Sequence, residues 1–162
     1  VQLLAWVEQH SPAEVQARYS HPLSTMIDGS VASLLRILHS PPQQGESKAP
    51  RANAHEDINL LTILPAANGP GLLVKHRDGQ WITVPNEPGT VIINTGDMLQ
   101  EVSGGYFPST TQQVAAGSGS LNESRMSMPL FLHPKAEVKL SGRYTAGSYL
   151  RERLQELGVL KA

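Results

Sequence analysis

The chain contains no cysteine among its 162 residues. Disulfide bonds, thiolate catalysis and cysteine-ligated zinc or iron–sulfur sites are therefore excluded. Any metal ion would have to be held by histidine, by carboxylate or by amide oxygen. Long apolar runs are also absent, since none approaches the roughly 18 residues that a bilayer-spanning helix needs. The apolar start of the chain lacks a basic leader, so the sequence predicts a soluble, cytoplasmic protein that makes no use of a membrane.

Charge of one sign is scarce as well. The formal net charge is -1 at pH 7, and the Lys and Arg residues are scattered along the chain. Nucleic-acid binding requires a basic stripe or patch, so we expect no nucleic-acid partner. What the chain does contain is 14 Gly and 12 Pro, which favour many short strands joined by turns over a helical bundle. Its length predicts a single domain spanning residues 1–162.

Strand-like patterns, separated by turn residues, run through the middle of the chain. Asp78-Gly79 predicts a tight hairpin turn between two of the strands. Eight short strands suit a two-sheet jelly roll, so the predicted fold class is mainly β, a cupin-like double-stranded β-helix over about residues 33–140. The predicted strands are residues 33–39, 55–64, 71–75, 80–84, 90–94, 98–102, 109–115 and 125–132.

Helical patterns flank this core. Residues 1–30 predict a helical or loose N-terminal region, and residues 43–50 are polar enough to form a loop. Near the C-terminus, Leu150, Leu154 and Leu157 follow helical spacing. Thr145 is suited to cap this helix and Gly158 to stop it. We therefore predict an amphipathic C-terminal helix over residues 145–158.

His55 and Asp57 are the most informative pair of residues. They stand two apart at the head of an apolar run, and in a strand this spacing sends both side chains to one face. An imidazole and a carboxylate placed there can bind one metal ion. Such a pair is also common on surface strands that bind no ligand, so residues further along the chain are needed to identify its role.

Arg125 and Ser127 repeat the same spacing at the head of a second apolar run. The planar guanidinium group offers a carboxylate two parallel charge-assisted hydrogen bonds, and the hydroxyl group adds a third. The pair therefore predicts an anion site. A purely structural role for Arg125, pairing with a carboxylate across the sheet, is the alternative.

Several stretches together resemble the iron(II)/2-oxoglutarate-dependent dioxygenase superfamily, in its isopenicillin N synthase-like branch. The similarity runs from about Leu34 to the end of the chain. It is carried by Ala54-His55-Glu56-Asp57, the hairpin around Asp78-Gly79, Asn94-Thr95-Gly96-Asp97, and Arg125-Met126-Ser127. The resemblance implies a jelly roll, iron(II) as the metal, and 2-oxoglutarate and O2 as co-substrates.

The resemblance also implies which residues do what. His55 and Asp57 would be the first two metal ligands, while Arg125 and Ser127 would hold the far carboxylate of 2-oxoglutarate. The family's second histidine ligand falls at Gln112, whose amide oxygen is a neutral and weaker ligand for iron(II). Ser40 replaces a family tyrosine that helps to hold the co-substrate. Members of the family are also much longer, so we interpret the chain as a fragment, a partly observed chain or a short form, and the missing initiating Met favours the first two.

The function implied is oxidation, by hydroxylation, of a small organic molecule. Two alternatives stay open at this stage. One is a jelly-roll binding protein that has lost iron through Gln112 and keeps an anion site at Arg125 and Ser127. The other is an oxidase of the same fold that uses no 2-oxoglutarate.

Overall fold

The computed structural model describes residues 1–42, 49–116 and 123–161. The predicted loop at residues 43–50 therefore lies mostly outside the described residues. The helices are α1 (Gln2–Gln9), α2 (Ala13–Gln16), α3 (Leu23–Met26), α4 (Asp97–Val102) and α5 (Ala146–Glu156). The strands are β1 (Leu34–Leu35), β2 (Leu38–Ser40), β3 (Ala52–His55), β4 (Leu61–Pro65), β5 (Leu72–Lys75), β6 (Trp81–Thr83), β7 (Val91–Thr95), β8 (Gln112–Val114), β9 (Arg125–Ser127) and β10 (Leu130–Leu132).

The strands form three antiparallel sheets. One has the order β1-β10-β4-β7, another β3-β8-β5-β6, and β2 pairs with β9 in a short two-stranded sheet. Because most neighbours in these sheets are not consecutive in the chain, the connections cross repeatedly between the layers. The predicted fold class, a mainly β jelly roll with few helices, is confirmed.

The predicted strand at residues 55–64 is wrong in its extent. β3 ends at His55, residues 56–60 form an irregular turn, and β4 begins only at Leu61. The turn is fixed by the backbone of the next segment, since Asp97 N–H donates to the Asp57 carbonyl oxygen at 2.8 Å. Asp57 therefore lies just past a strand end and not within a strand.

Residues 98–102 were predicted as a strand, but they form part of α4. Met98, Leu99 and Val102 are all buried in the apolar core. Positions i, i+1 and i+4 lie on one face of a helix, whereas a strand would send Met98 and Leu99 to opposite faces. The strand period of two was therefore the wrong pattern for this short apolar run, which follows the helical period.

The predicted strand at residues 125–132 is divided between two sheets. β9 pairs with β2, and β10 pairs with β1 and β4. Pro129 lies between β9 and β10, and its lack of an N–H group removes one hydrogen bond from the ladder. The same change of sheet divides the predicted strand at residues 33–39 into β1 and β2.

Two local predictions are confirmed. β5 and β6 pair as an antiparallel hairpin, and Gly79 adopts the positive φ of 90° that its turn requires. At the C-terminus, Thr145 caps α5 in a reciprocal capping box with Ser148, and Gly158 follows the helix end with a φ of 71°. The expected apolar face is only partly correct, because Ala146 and Tyr149 are buried while Leu157 is exposed.

The apolar core lies on one side of the first sheet. Leu61 of β4 and Leu132 of β10 are paired neighbours that face this core. They pack with residues of the N-terminal helices, α4 and α5 that include Leu4, Leu23, Leu99 and Tyr149. Each fully buried leucine contributes roughly 1.5–3 kcal/mol to folding. Since side chains alternate along β4, its Thr62 and Leu64 face the opposite side, where the candidate site lies. In the described part of the chain, no helix is long and apolar enough to cross a membrane.

Candidate active site

His55 stands at the end of β3, with 47% of its side chain exposed. Its Nδ1 atom lies 2.7 Å from the Asn53 carbonyl oxygen. A carbonyl oxygen can only accept a hydrogen bond, so Nδ1 carries a proton, and it is Nε2 that has the lone pair in the neutral ring. Nε2 lies 3.7 Å from Asp57 Oδ1. An imidazole fixed in this tautomer by a backbone carbonyl is oriented as metal-ligating histidines are.

Asp57 is almost completely buried, with 5% of its side chain exposed. Its Oδ2 atom accepts hydrogen bonds from three side chains, Thr62 Oγ1 at 2.5 Å, Asn94 Nδ2 at 3.0 Å and Gln112 Nε2 at 3.0 Å. All three donors are neutral, so none of them forms an ion pair with the carboxylate. Because they converge on Oδ2, the other oxygen is left to face His55. The network thus orients Oδ1 toward the place where a shared metal ion would bind.

The turn that carries Asp57 is held by a close backbone approach at Gly96. The N–H groups of Gly96 and Met98 donate to the carbonyl oxygens of Leu60 and Asn59, each at 3.0 Å. A Cβ atom at Gly96 would overlap Asn59 Oδ1 and the Asn59 and Asp57 carbonyl oxygens. Only glycine lets the two segments lie this close.

Gln112 begins β8 directly opposite His55, its paired neighbour on β3. Its side chain is buried and reaches Asp57 through the amide nitrogen. We assign nitrogen to the Asp57 side of the amide because an amide oxygen there would face a carboxylate oxygen and repel it. His55, Asp57 and Gln112 therefore meet at one place, which we call the carboxylate end of the site.

Arg125 and Ser127 lie on β9 and are both buried, while Met126 between them is exposed. Strand alternation explains this pattern and confirms that the pair shares one inward face. Burial lowers the pKa of the Arg125 guanidinium group, and the positive charge of Arg51 lowers it further. Arg125 Nε donates to the Pro70 carbonyl oxygen at 3.3 Å. We call Arg125 and Ser127 the arginine end.

A cavity of about 80 Å³ connects the two ends. It lies between the sheets, so a molecule inside it would contact the carboxylate end and the arginine end at once. Its apolar walls would exclude water and strengthen charge interactions within it. The lining residues are Leu38, Ala52, His55, Asp57, Thr62, Leu64, Leu72, Gln112, Gln113, Val114, Arg125, Ser127, Pro129 and Phe131.

The carboxylate end offers only two of the ligands usual for iron(II), one imidazole and one carboxylate. Within the described ranges, no group of three His, Cys, Asp or Glu residues is placed to hold a metal. His55 Nε2 and Asp57 Oδ1 nevertheless face each other at 3.7 Å, and Gln112 has an amide oxygen that could coordinate a metal ion. One imidazole, one carboxylate and one amide oxygen suit a divalent cation.

Sequence reasoning missed Thr62, Asn94 and the structural role of Gly96. Thr62 and Asn94 read as ordinary strand residues, because nothing in a strand pattern shows that their side chains converge on Asp57. The sequence patterns did not single out His133 either. Its Nδ1 atom is buried without a hydrogen-bond partner among the described residues, and burial lowers the pKa of its imidazole while the Asp57 charge raises it by less.

Comparison with known proteins identifies relatives of the chain. The model of the 2OG-Fe(II) oxygenase superfamily matches residues 31–134. Gibberellin 3-beta-dioxygenase 1 of Oryza sativa subsp. japonica is 35% identical over 96 residues, or 59% of this chain and 24% of the relative.

Two solved structures from bacteria are similar to the chain. A candidate oxygenase from Shewanella oneidensis is 57% identical with a TM-score of 0.89, over 98% of this chain and 60% of that one. A 2OG-Fe(II) oxygenase family protein from Caulobacter crescentus is 35% identical with a TM-score of 0.71, over 83% of this chain and 48% of that one. The chain spans only 24% to 36% of the length of the curated relatives it matches.

Proposed function

The chain belongs to the 2OG-Fe(II) oxygenase superfamily, and on that premise we propose that it forms the core of a non-haem iron(II)/2-oxoglutarate-dependent oxygenase. Its reaction would be the oxidation, by hydroxylation, of a small organic substrate. The isopenicillin N synthase-like branch and the cytoplasmic location are part of the same proposal. The observation that supports it is one cavity with the His55 imidazole and the Asp57 carboxylate at one end and the buried Arg125 at the other.

The carboxylate end would hold iron(II) through His55 Nε2, Asp57 Oδ1 and the amide oxygen of Gln112. Three protein ligands would leave coordination positions for the co-substrate and O2. Iron(II) held there would supply dioxygen activation coupled to the oxidative decarboxylation of 2-oxoglutarate. The contribution of the chain is orientation, since Asp57 is already aligned by its three donors on Oδ2.

The arginine end would bind the far carboxylate of 2-oxoglutarate. Arg125 offers two parallel charge-assisted hydrogen bonds and Ser127 adds a third. Both side chains are buried, so these bonds form away from water and are stronger than they would be at the surface. Arg125 would therefore set the direction of the co-substrate, with the keto acid end of 2-oxoglutarate toward His55 and Asp57.

One observation favours a second candidate, a jelly-roll binding protein without catalysis. Gln112 satisfies Asp57 by a hydrogen bond that needs no metal, and an amide is a weaker ligand than the family's imidazole. Such a protein would bind a dicarboxylate at Arg125 and Ser127 alone. The third candidate, an oxidase that uses no 2-oxoglutarate, would use the same arginine end for its substrate.

The deciding experiment is anaerobic titration with iron(II) and then 2-oxoglutarate. Chelation of the co-substrate on iron would produce a weak visible charge-transfer band, and admission of O2 would then yield succinate. Asp57→Asn is the matched control, because it keeps the shape of the site but removes the ligand charge, and it should give neither signal. A wild-type protein that binds 2-oxoglutarate without the band would favour the binding protein. A protein that binds iron(II) but gives no band and does not bind 2-oxoglutarate would favour the oxidase.

A further inference from the structure

We propose that Gln112 performs two tasks at once, coordinating the metal through its amide oxygen while its amide nitrogen continues to donate to Asp57. The resulting centre has one nitrogen and two oxygen ligands. Compared with a centre of two histidines, it would shift the metal preference away from Ni2+ and Zn2+ and toward Mn2+ and Fe2+. This inference rests on the proposed function, because it concerns the same metal site.

The geometry assigns the two atoms of the amide to different partners. Nε2 lies 3.0 Å from Asp57 Oδ2, inside a buried site. Since the nitrogen is used there, the oxygen is the atom of Gln112 left to coordinate. Gln112 also lies opposite His55 in the strand pairing, so its side chain starts beside the imidazole that would share the metal.

A histidine at the same position could not make this arrangement. An imidazole nitrogen that coordinates a metal has no proton to donate, and so it cannot also hold Asp57 by a hydrogen bond from that atom. A coordinating imidazole still has its other ring N–H, but that group points away from the metal, whereas the oxygen and an N–H of an amide can point to the same side. Gln112 is therefore a positioning residue for Asp57 as well as a ligand, and a ligating imidazole could not donate to a carboxylate that shares its metal.

The ligand types then set the metal preference. Imidazole increases affinity most for the later ions of the series, Ni2+, Cu2+ and Zn2+, whereas carboxylate and carbonyl oxygens suit Mn2+ and Mg2+. Exchange of one imidazole for an amide oxygen removes more affinity for Ni2+ than for Mn2+. The chain would thus bind divalent ions less tightly overall. The loss of affinity would be largest for Ni2+, Cu2+ and Zn2+, which compete with iron(II).

Metal affinities of the wild type and two variants test the selectivity. We would measure dissociation constants for Mn2+ and Ni2+ by calorimetry in the wild type, in Gln112→His and in the exposed control Gln155→His. Gln112→His should increase the affinity for Ni2+ by about tenfold more than the affinity for Mn2+, a change of the size seen for ligand-sphere substitutions. Gln155→His should leave the ratio unchanged. An equal gain for both ions in Gln112→His would overturn the inference.

A second variant and a spectroscopic count test coordination itself. Gln112→Leu substitutes an apolar side chain of similar size and should lower Mn2+ affinity by about tenfold, with circular dichroism as the check of folding. Unchanged affinity would show that Gln112 is not a ligand. Pulsed electron paramagnetic resonance of bound Cu2+ counts imidazoles without any mutation. One imidazole is expected in the wild type and two in Gln112→His, and two in the wild type would point to His133 as the ligand instead.

These outcomes separate the inference from the proposed function. Metal binding with an unchanged Ni2+ to Mn2+ ratio contradicts the inference and leaves the oxygenase proposal standing. Failure of the wild type and of Gln112→His to bind any divalent ion contradicts both, and then the binding protein is the better description.

Discussion

The two ends of the cavity differ in how their charges are compensated. At the carboxylate end, Asp57 accepts three hydrogen bonds on one oxygen and so is both satisfied and oriented. At the arginine end, Arg125 donates to a backbone carbonyl, and no carboxylate of the described residues lies within ion-pair distance of it. The carboxylate end is therefore organised in advance, whereas the arginine end holds a buried cation that an incoming anion would compensate.

The greatest change in ligand affinity is expected from altering the arginine end. Arg125→Lys keeps the positive charge but loses the second of two parallel hydrogen bonds to a carboxylate. The dissociation constant for 2-oxoglutarate should increase about 10- to 100-fold, as expected for a hydrogen bond to a charged group. Metal affinity should hardly change, because the carboxylate end is untouched.

Calorimetry with 2-oxoglutarate, with Mn2+ in place of iron(II), measures both constants in one series. The exposed Arg151→Lys is the control. If Arg125→Lys binds 2-oxoglutarate as the wild type does, Arg125 has only a structural role.

The next effect concerns the backbone that holds the carboxylate end in place. Gly96→Ala would place a Cβ atom against the Asn59 side chain and two carbonyl oxygens of the turn. Overpacking of this kind should lower the free energy of unfolding by about 2 kcal/mol, and the displaced Asp57 should weaken metal binding.

Chemical denaturation of Gly96→Ala and Gly142→Ala makes the comparison, because an added Cβ at Gly142 meets nothing within 4 Å. Equal stability of the two variants would show that the turn tolerates movement and that the preorganisation of Asp57 is weaker than its hydrogen bonds indicate.

A more modest effect should follow from removing one donor to Asp57. Thr62→Val keeps the shape of the side chain, removes the hydrogen bond to Oδ2 and leaves the Asn59 amide without its acceptor. We expect Mn2+ affinity to fall about tenfold, the usual cost of losing a partner of a metal ligand. The exposed Thr83→Val serves as the control. An affinity equal to that of the wild type would mean that Asn94 and Gln112 orient Asp57 by themselves.

The weakest effect concerns pH. Burial lowers the pKa of His133 below its usual 6.5, so below that pH the unfolded chain binds more protons than the folded chain does. Stability should therefore fall as the pH drops from 6.5 toward the lower pKa of the folded state.

Denaturation at about pH 7.5 and about pH 5.5 measures this loss. The loss should be smaller in His133→Gln than in the wild type, whereas the exposed His21→Gln should behave as the wild type does. An identical loss in His133→Gln would remove His133 as a source of the pH dependence.

The fold class and the family could be predicted because several separate stretches carried them. These local signals are the short strand patterns, the Asp78-Gly79 turn and the two spaced pairs. They are independent of one another, so an error in one does not change the predicted fold or family. Strand limits were less predictable. Residues 98–102 form a helix because Met98, Leu99 and Val102 all face the same core, and a short apolar run is compatible with both structures.

The roles of the site residues remain predictions, and the structure shows only where their side chains lie. His55, Asp57 and Gln112 meet at one end of the cavity, and Arg125 with Ser127 lies at the other. Spacing within one strand placed Arg125 and Ser127 together. His55 and Asp57 come together for another reason, because Asp57 lies in a turn that Gly96 holds against the next segment.

Residue types alone limited which chemical groups the protein can offer to a metal and to an anion, since they decide what can ligate or donate. The resemblance to the family placed the predicted third ligand at Gln112, where the residue type offers only an amide. Folding was needed before Thr62, Asn94 and Gln112 could share one oxygen of Asp57 and leave the other free. Those residues are far apart along the chain, and hydrogen-bond direction depends on distances that exist only after the sheets have packed.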